Sequence, residues 1–458
     1  MVALARACFA VAVVATLLAP LPNWVADKGG EVPHEIKLAV AVCLRVALVS
    51  GITLAYLSVP MIRALWVYRE IPGPWPLPVI GNILSVRKGN PDEVYERWEK
   101  QYGPVFKWFL GSKVTIVLNE FGIVREIGLR NFSSFMNHSR APEHLVSFFP
   151  KPMQNLMNKG LFASQGMYWK GIRSTASSIF HSAEKLEAFH SLMSATANEL
   201  ADRLGDLKDG EVVDIWRALG DMTLDVIGST IFGVRFNAVQ TKSNDAVKAA
   251  RIVFANSGLQ VGSNPYLFAG IVAPPLVPIL RRLANAYPNK RMKDMNWAAE
   301  VLAGLSYQMA EEAAAPETGS VPEWRGAGTP SGVVEYEHIG QSFLKLFAQA
   351  HNRETGKSLS KHEVSAQGFL FLLAGYETTA TALALGIYLL SKNKEKEEEL
   401  IKEIDRLANS DLASLDDLKE YEYVEAVVKE ALRMHGPVAF MDRVATHTTK
   451  VRDYVIHQ

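Results

Sequence analysis

The residues best able to do chemistry are concentrated in one stretch, Phe371-Leu372-Leu373-Ala374-Gly375-Tyr376-Glu377-Thr378-Thr379. Glu377 is a carboxylate among apolar neighbours; if buried it needs partners or water, and it can relay protons. Thr378 can donate its hydroxyl to the carbonyl of Ala374, one turn earlier, and loosen a helix there. Ala374 and Gly375 remove side-chain bulk from one patch, so a flat ligand can approach the backbone closely. The same pattern also fits a small-residue contact with a neighbouring helix, its threonines satisfied by their own backbone. A second set is Trp169 and Arg173, whose i, i+4 spacing puts an indole N–H and a guanidinium on one helical face. Both donate, and arginine binds carboxylates bidentately. A cation–π pair on a helix surface explains that spacing equally well. Glu430 and Arg433 can pair on a helix, although most such pairs are surface salt bridges worth under about 1 kcal/mol.

The first set must be carried by one long helix over 359–390. Ser360 followed by Glu363 has the spacing of a capping box, and no proline interrupts the chain before Lys392. At 1.5 Å per residue that is a rod of roughly 45 Å. Apolar residues lie nearly all round its second half, the pattern of a helix buried through the centre of a domain. A glycine in its middle costs about 1 kcal/mol relative to alanine, and such a local break in helix rules is expected at a functional site. Around it the spacing predicts an amphipathic helix over 91–102, then two apolar runs joined by Gly111-Ser112 as a hairpin. Helical patterns follow, interrupted at 312–332 by a stretch rich in Ala, Gly, Pro and Ser that reads as a flexible surface insertion. Residues 392–406 form a charge-dense helix with a solvated face, and 444–456 read as strand pairs. The fold class is mainly α with a small β domain.

Ala-Gly-Tyr-Glu-Thr-Thr resembles the oxygen-binding segment of the central helix in cytochrome P450 monooxygenases. The Trp-x-x-x-Arg pair, residues 221–236 as a packing helix, Lys-Glu-Ala-Leu-Arg at 429–433 and Gly436 to Arg443 resemble further stretches of that family, in its order. The resemblance covers about residues 70–458. It implies the cytochrome P450 fold around a haem b, with Trp169, Arg173 and Arg443 on its propionates and Ala374 and Gly375 against its face. Thr378 would hold oxygen or its water, and Glu377 would feed protons. Glu430 and Arg433 would be a buried structural pair, and Val438 and Phe440 would line the pocket of a small apolar substrate. The activity implied is insertion of one oxygen atom from O2, with electrons from NADPH through an NADPH-dependent reductase or a ferredoxin. A faint similarity to plant members acting on apocarotenoids accompanies these matches.

The family holds its iron with a cysteine thiolate, which favours O–O cleavage. Cys8 and Cys43 are the two cysteines of the sequence, both in apolar N-terminal segments. They supply no disulfide framework and no zinc–cysteine site. No glycine-rich loop after a Phe-x-x-Gly pattern occurs here, so the resemblance implies a P450 fold lacking its C-terminal haem-ligand loop and last helix, with no metal ligand in this chain. A non-catalytic remnant or binding module is therefore the alternative function.

The chain of 458 residues is 48% hydrophobic with a formal net charge of zero, which gives no reason to expect nucleic acid as a partner. Residues 9–25 are apolar and resemble a signal or organelle-targeting segment. Residues 38–59 are long enough to cross a bilayer, with Arg45 their one charge. Arg63 and Arg69 follow, so the positive-inside rule puts the globular part in the cytoplasm. The expected division is a targeting and membrane-anchor region over 1–69 and a catalytic domain over 70–458. The expected site is the endoplasmic reticulum, with the chloroplast as the alternative. Pro72, Pro74, Pro76 and Pro78 favour a stiff extended segment that reads as a hinge between the two.

Overall fold

The computed structural model describes residues 34–87, 91–139, 146–240, 245–257, 265–272, 276–314, 342–352, 354–407, 415–438 and 441–458. It divides into two compact units, one of residues 1–130 and 261–277, the other of 131–260 and 278–458.

In the first unit, helix α1 (His34–Val67) is long and apolar enough to cross a membrane from Leu38 onward. Its Leu38, Val46, Leu48, Ile62 and Trp66 are exposed. Thr53 and Ser58 return their hydroxyls to the carbonyls of Val49 and Leu54 at 2.8 and 2.7 Å, so the helix presents few free polar groups. Strands β1 (Val105–Leu110) and β2 (Lys113–Leu118) pair antiparallel from Val105↔Leu118 to Leu110↔Lys113. Gly111 turns the hairpin at φ 62°, a conformation glycine adopts without strain. Helix α2 (Pro91–Tyr102) lays Val94 and Trp98 against Phe106 and Trp108 of the sheet.

The proline segment expected as a hinge is fastened along β1. Lys107 N–H donates to Pro72 O at 2.8 Å, and two residues on, along the same edge, Asn82 N–H donates to Phe109 O at 2.7 Å. The Asn82 amide donates to Trp75 O at 3.0 Å, while its Oδ1 accepts from Phe109 N–H at 2.9 Å. Gly73 is required by proximity, because a Cβ there would lie 2.0 Å from Lys107 O. The buried Lys107 reaches back, and its ammonium donates to Tyr68 O at 2.7 Å and to Ile71 O. A cation on carbonyls just past a helix C-terminus also meets the negative end of the helix dipole. Burial lowers the Lys107 pKa from the ordinary lysine value.

The second unit is built on helices α3 (Lys151–Met157), α4 (Gly166–Phe180), α5 (Ala183–Gly205), α6 (Ile215–Ile227), α7 (Asp245–Ser257), α8 (Lys290–Ala314), α9 (Phe343–Gln349), α10 (Lys361–Lys392), α11 (Lys394–Leu407) and α12 (Glu422–His435). A short hairpin, β3 (Thr449–Val451) with β4 (Tyr454–Ile456), follows. The capping box forms as its spacing requires: Ser360 Oγ accepts from Glu363 N–H at 3.3 Å and Glu363 Oε2 from Ser360 N–H at 2.8 Å. Fully buried Gln367 binds α10 to the 159–161 loop, donating to Lys159 O at 3.0 Å and accepting from Leu161 N–H at 2.8 Å. Leu224 of α6, Leu302 of α8, Phe343 and Phe347 of α9, and Phe369 and Leu372 of α10 form the centre of the core. Each such side chain contributes roughly 1.5–3 kcal/mol by leaving water.

Two expectations change here. Burial of α10 is concentrated in its first half, from Val364 to Tyr376, with Ala380 beyond. In its apolar second half Ile387 and Tyr388 remain 44% and 53% exposed. The first half lies within the core formed with α6, α8 and α9, whereas α11 and α12 meet the second half on part of its surface. The stretch 312–332 begins as the last turn of α8, and residues 315–332 lie outside the described residues.

Candidate functional site

At 3.6 residues per turn, Ala374 and Thr378 share one face of α10 and Tyr376 lies on the opposite one. Ala374 is exposed, Thr378 half-buried and Tyr376 buried. Thr378 Oγ1 donates to Ala374 O at 2.6 Å. Glu377 is half-buried and accepts no hydrogen bond among the described residues; burial raises its carboxyl pKa above the ordinary glutamate value. Gly375 corrects an expectation. A Cβ at Gly375 would lie 2.3 Å from Ile227 Cδ1, so its missing side chain makes room for α6 and not for a flat ligand. The helix contact and the open face are thus on different sides of the same turn.

The second set gathers around residues 137–139. Gly166, the first residue of α4, donates its N–H to Asn137 Oδ1 at 2.8 Å, and Gln165 donates to His138 O at 3.1 Å. One turn on, Trp169 packs on Phe132 with ring centroids 5.8 Å apart, and Arg173 is exposed. Neither the Trp169 indole nor the Arg173 guanidinium has a hydrogen-bond partner among the described residues. From the other side Val444 N–H donates to Asn137 O at 2.8 Å. Arg443 Nη1 lies 3.1 Å from both ring nitrogens of His138 and donates to Asp442 O at 2.7 Å. Asp442 reaches His138 Nδ1 at 3.1 Å and accepts from Ser139 N–H at 3.1 Å. The 137–139 segment therefore joins the start of the helix carrying Trp169 and Arg173 to the extended segment around Val444 that carries Arg443.

His138 and Asp442 escaped the reading of the sequence. They are 304 positions apart; Asp442 falls inside the Gly436–Arg443 stretch but was given no role there, and His138 stands in no motif. The Glu430–Arg433 pair forms, with Arg433 Nε and Nη2 donating to Glu430 at 2.6 and 2.7 Å. Its side chains are 55% and 68% exposed, which corrects the expectation of a buried lock. On α12 the buried position is Ala431, which faces Gly386 of α10. Val438 is exposed, and Phe440 lies outside the described residues.

The cytochrome P450 family model matches residues 71–458. A putative cytochrome P450 CYP13A7 of Caenorhabditis elegans is 28% identical over 433 residues, covering 90% of this chain and 78% of that protein. Thromboxane-A synthase of Rattus norvegicus is 28% identical over 392 residues, 82% of this chain and 70% of its own length. Cytochrome P450 3A6 of Oryctolagus cuniculus is 27% identical over 405 residues, 87% and 73% respectively. The chain therefore belongs to the cytochrome P450 family, monooxygenases that use the iron of haem b with electrons from a redox partner.

Proposed function

We propose that the open face of α10 manages oxygen and protons beside a haem whose acid groups are held by Trp169, Arg173 and Arg443, for insertion of one oxygen atom into a small apolar substrate. The fit of the acid edge is supported by the donor chemistry. An unpartnered indole and guanidinium on one helix and Arg443 across the 137–139 segment match two carboxylates. For the iron, no cysteine occurs in residues 44–458, Cys43 is exposed on α1, and Cys8 lies outside the described residues, so no step is assigned to an iron ligand. Oxygen activation is the chemistry haem supplies when bound; the protein supplies binding, orientation and protons.

The observation that carries the reading is the Ala374–Thr378 turn, with a hydroxyl held on a helix carbonyl at an exposed face next to a carboxyl of raised pKa. A raised pKa lets Glu377 keep a proton closer to neutral pH and deliver it to an acceptor on that face. Thr378 orients the acceptor. Thr378→Ala is expected to lower product formed per NADPH oxidised, with peroxide rising to match. Unchanged partition would remove the role. Electrons come from an NADPH-dependent reductase, with α1 anchoring the chain in the endoplasmic reticulum and the catalytic part in the cytoplasm; a chloroplast setting would substitute a ferredoxin.

A second reading, a haem- or partner-binding module without turnover, is favoured by the absence of cysteine from residues 44–458. The carbon-monoxide difference spectrum of the reduced protein separates them: a thiolate-ligated signature supports the enzyme, and its absence supports the module.

A further inference from the structure

The face of α10 opposite Thr378 carries a polar network that a packing role alone does not require. Tyr376 is buried, with its ring 5.3 Å from that of Phe254 and against Gly220, where a Cβ would approach the phenol to 3.3 Å. Its backbone carbonyl accepts from Thr223 Oγ1 at 2.8 Å. Its phenol oxygen accepts from the Arg251 guanidinium, which is also paired with Asp221, a carboxylate only 5% exposed. Three elements thus grip one residue: α6 through Gly220, Asp221 and Thr223, α7 through Arg251 and Phe254, and α10 through its own backbone. A buried ion pair is weak evidence for stability; its better-attested use is to select one register among several.

We infer that Tyr376, held by Arg251–Asp221 and by Thr223, is a positioning residue that sets the rotation of α10 and so fixes which face presents Ala374, Glu377 and Thr378. Adjacent helix positions are about 100° apart, so a slip of one position would carry Thr378 off the open face and bring Tyr376 away from its donors. Gly375 on Ile227 fits one rotation in the same way. What the correctly turned face does rests on the function proposed above; the rotation itself does not.

Tyr376→Phe deletes the hydroxyl and keeps the ring. Tyr307→Phe is the control, because it removes a hydrogen bond to His362 of the same helix, 2.7 Å long and remote from the turn. In the full chain, hydrogen exchange read on peptides spanning 370–382 is expected to quicken about fivefold in Tyr376→Phe, the effect of one lost hydrogen bond, and to stay unchanged in Tyr307→Phe. Thr223→Val should act on the same peptides as Tyr376→Phe. In turnover, Tyr376→Phe should raise the peroxide share and Tyr307→Phe should not, at equal loss of melting temperature. Exchange that quickens equally in both tyrosine variants, or in neither, overturns the positioning role. Local quickening without any change in peroxide supports the positioning role and overturns the task assigned to Thr378.

Discussion

Glu377 is where the environment of a single side chain makes a measurable claim. Burial raises its folded pKa above the unfolded value, so the fold favours the neutral acid. The sign follows. That contribution to stability is complete below the unfolded pKa of about 4.3 and is lost as pH rises through the folded pKa. Glu377→Gln keeps the shape and removes the titration. Melting temperatures measured from about pH 4 to neutrality should therefore fall less steeply in the variant than in the parent protein. Equal slopes would place the carboxyl in water. Thr378 beside it needs no titration to act, since its hydroxyl is already committed to Ala374 O and is turned by one rotamer.

Among the elements, the α6–α10 contact is set by one absent methyl. Gly375→Ala gains about 1 kcal/mol of helix propensity but drives a Cβ to within 2.3 Å of Ile227 Cδ1, and overpacking of that kind costs about 1–3 kcal/mol. The variant should be destabilised on balance. Ile227→Val, which removes Cδ1, should restore most of the loss, so that the two changes are far from additive by denaturant titration. The helices themselves were readable in advance. Ser360 and Glu363 announced the start of α10, Gly111-Ser112 the β1–β2 turn, and Tyr423 to Met434 most of α12. Which side of Gly375 meets protein was not readable, because a small residue serves a helix contact and a ligand contact alike. Periodicity within α10 also could not reveal that its second half has neighbours on part of its surface only. The cluster around residues 137–139 was half legible: Trp169 and Arg173 share a helix, but His138 and Asp442 meet only through the folded path of the chain.

For the whole molecule, membership of the P450 family rests on a match spanning 71–458, while the apolar helix α1 and the fastened proline segment belong to the first unit. The clasp of Lys107 on Tyr68 O and Ile71 O decides where a water-soluble fragment can begin. Cutting ahead of Tyr68 discards the apolar rod and keeps both oxygens that hold the ammonium. Cutting at Pro72 strands a buried cation, at a cost of about 1–3 kcal/mol. The shorter fragment should melt lower than the longer one, and Lys107→Met should recover the difference in the shorter fragment alone. Four residues that look like disposable linker, 68–71, are by this reasoning ones the first unit cannot spare.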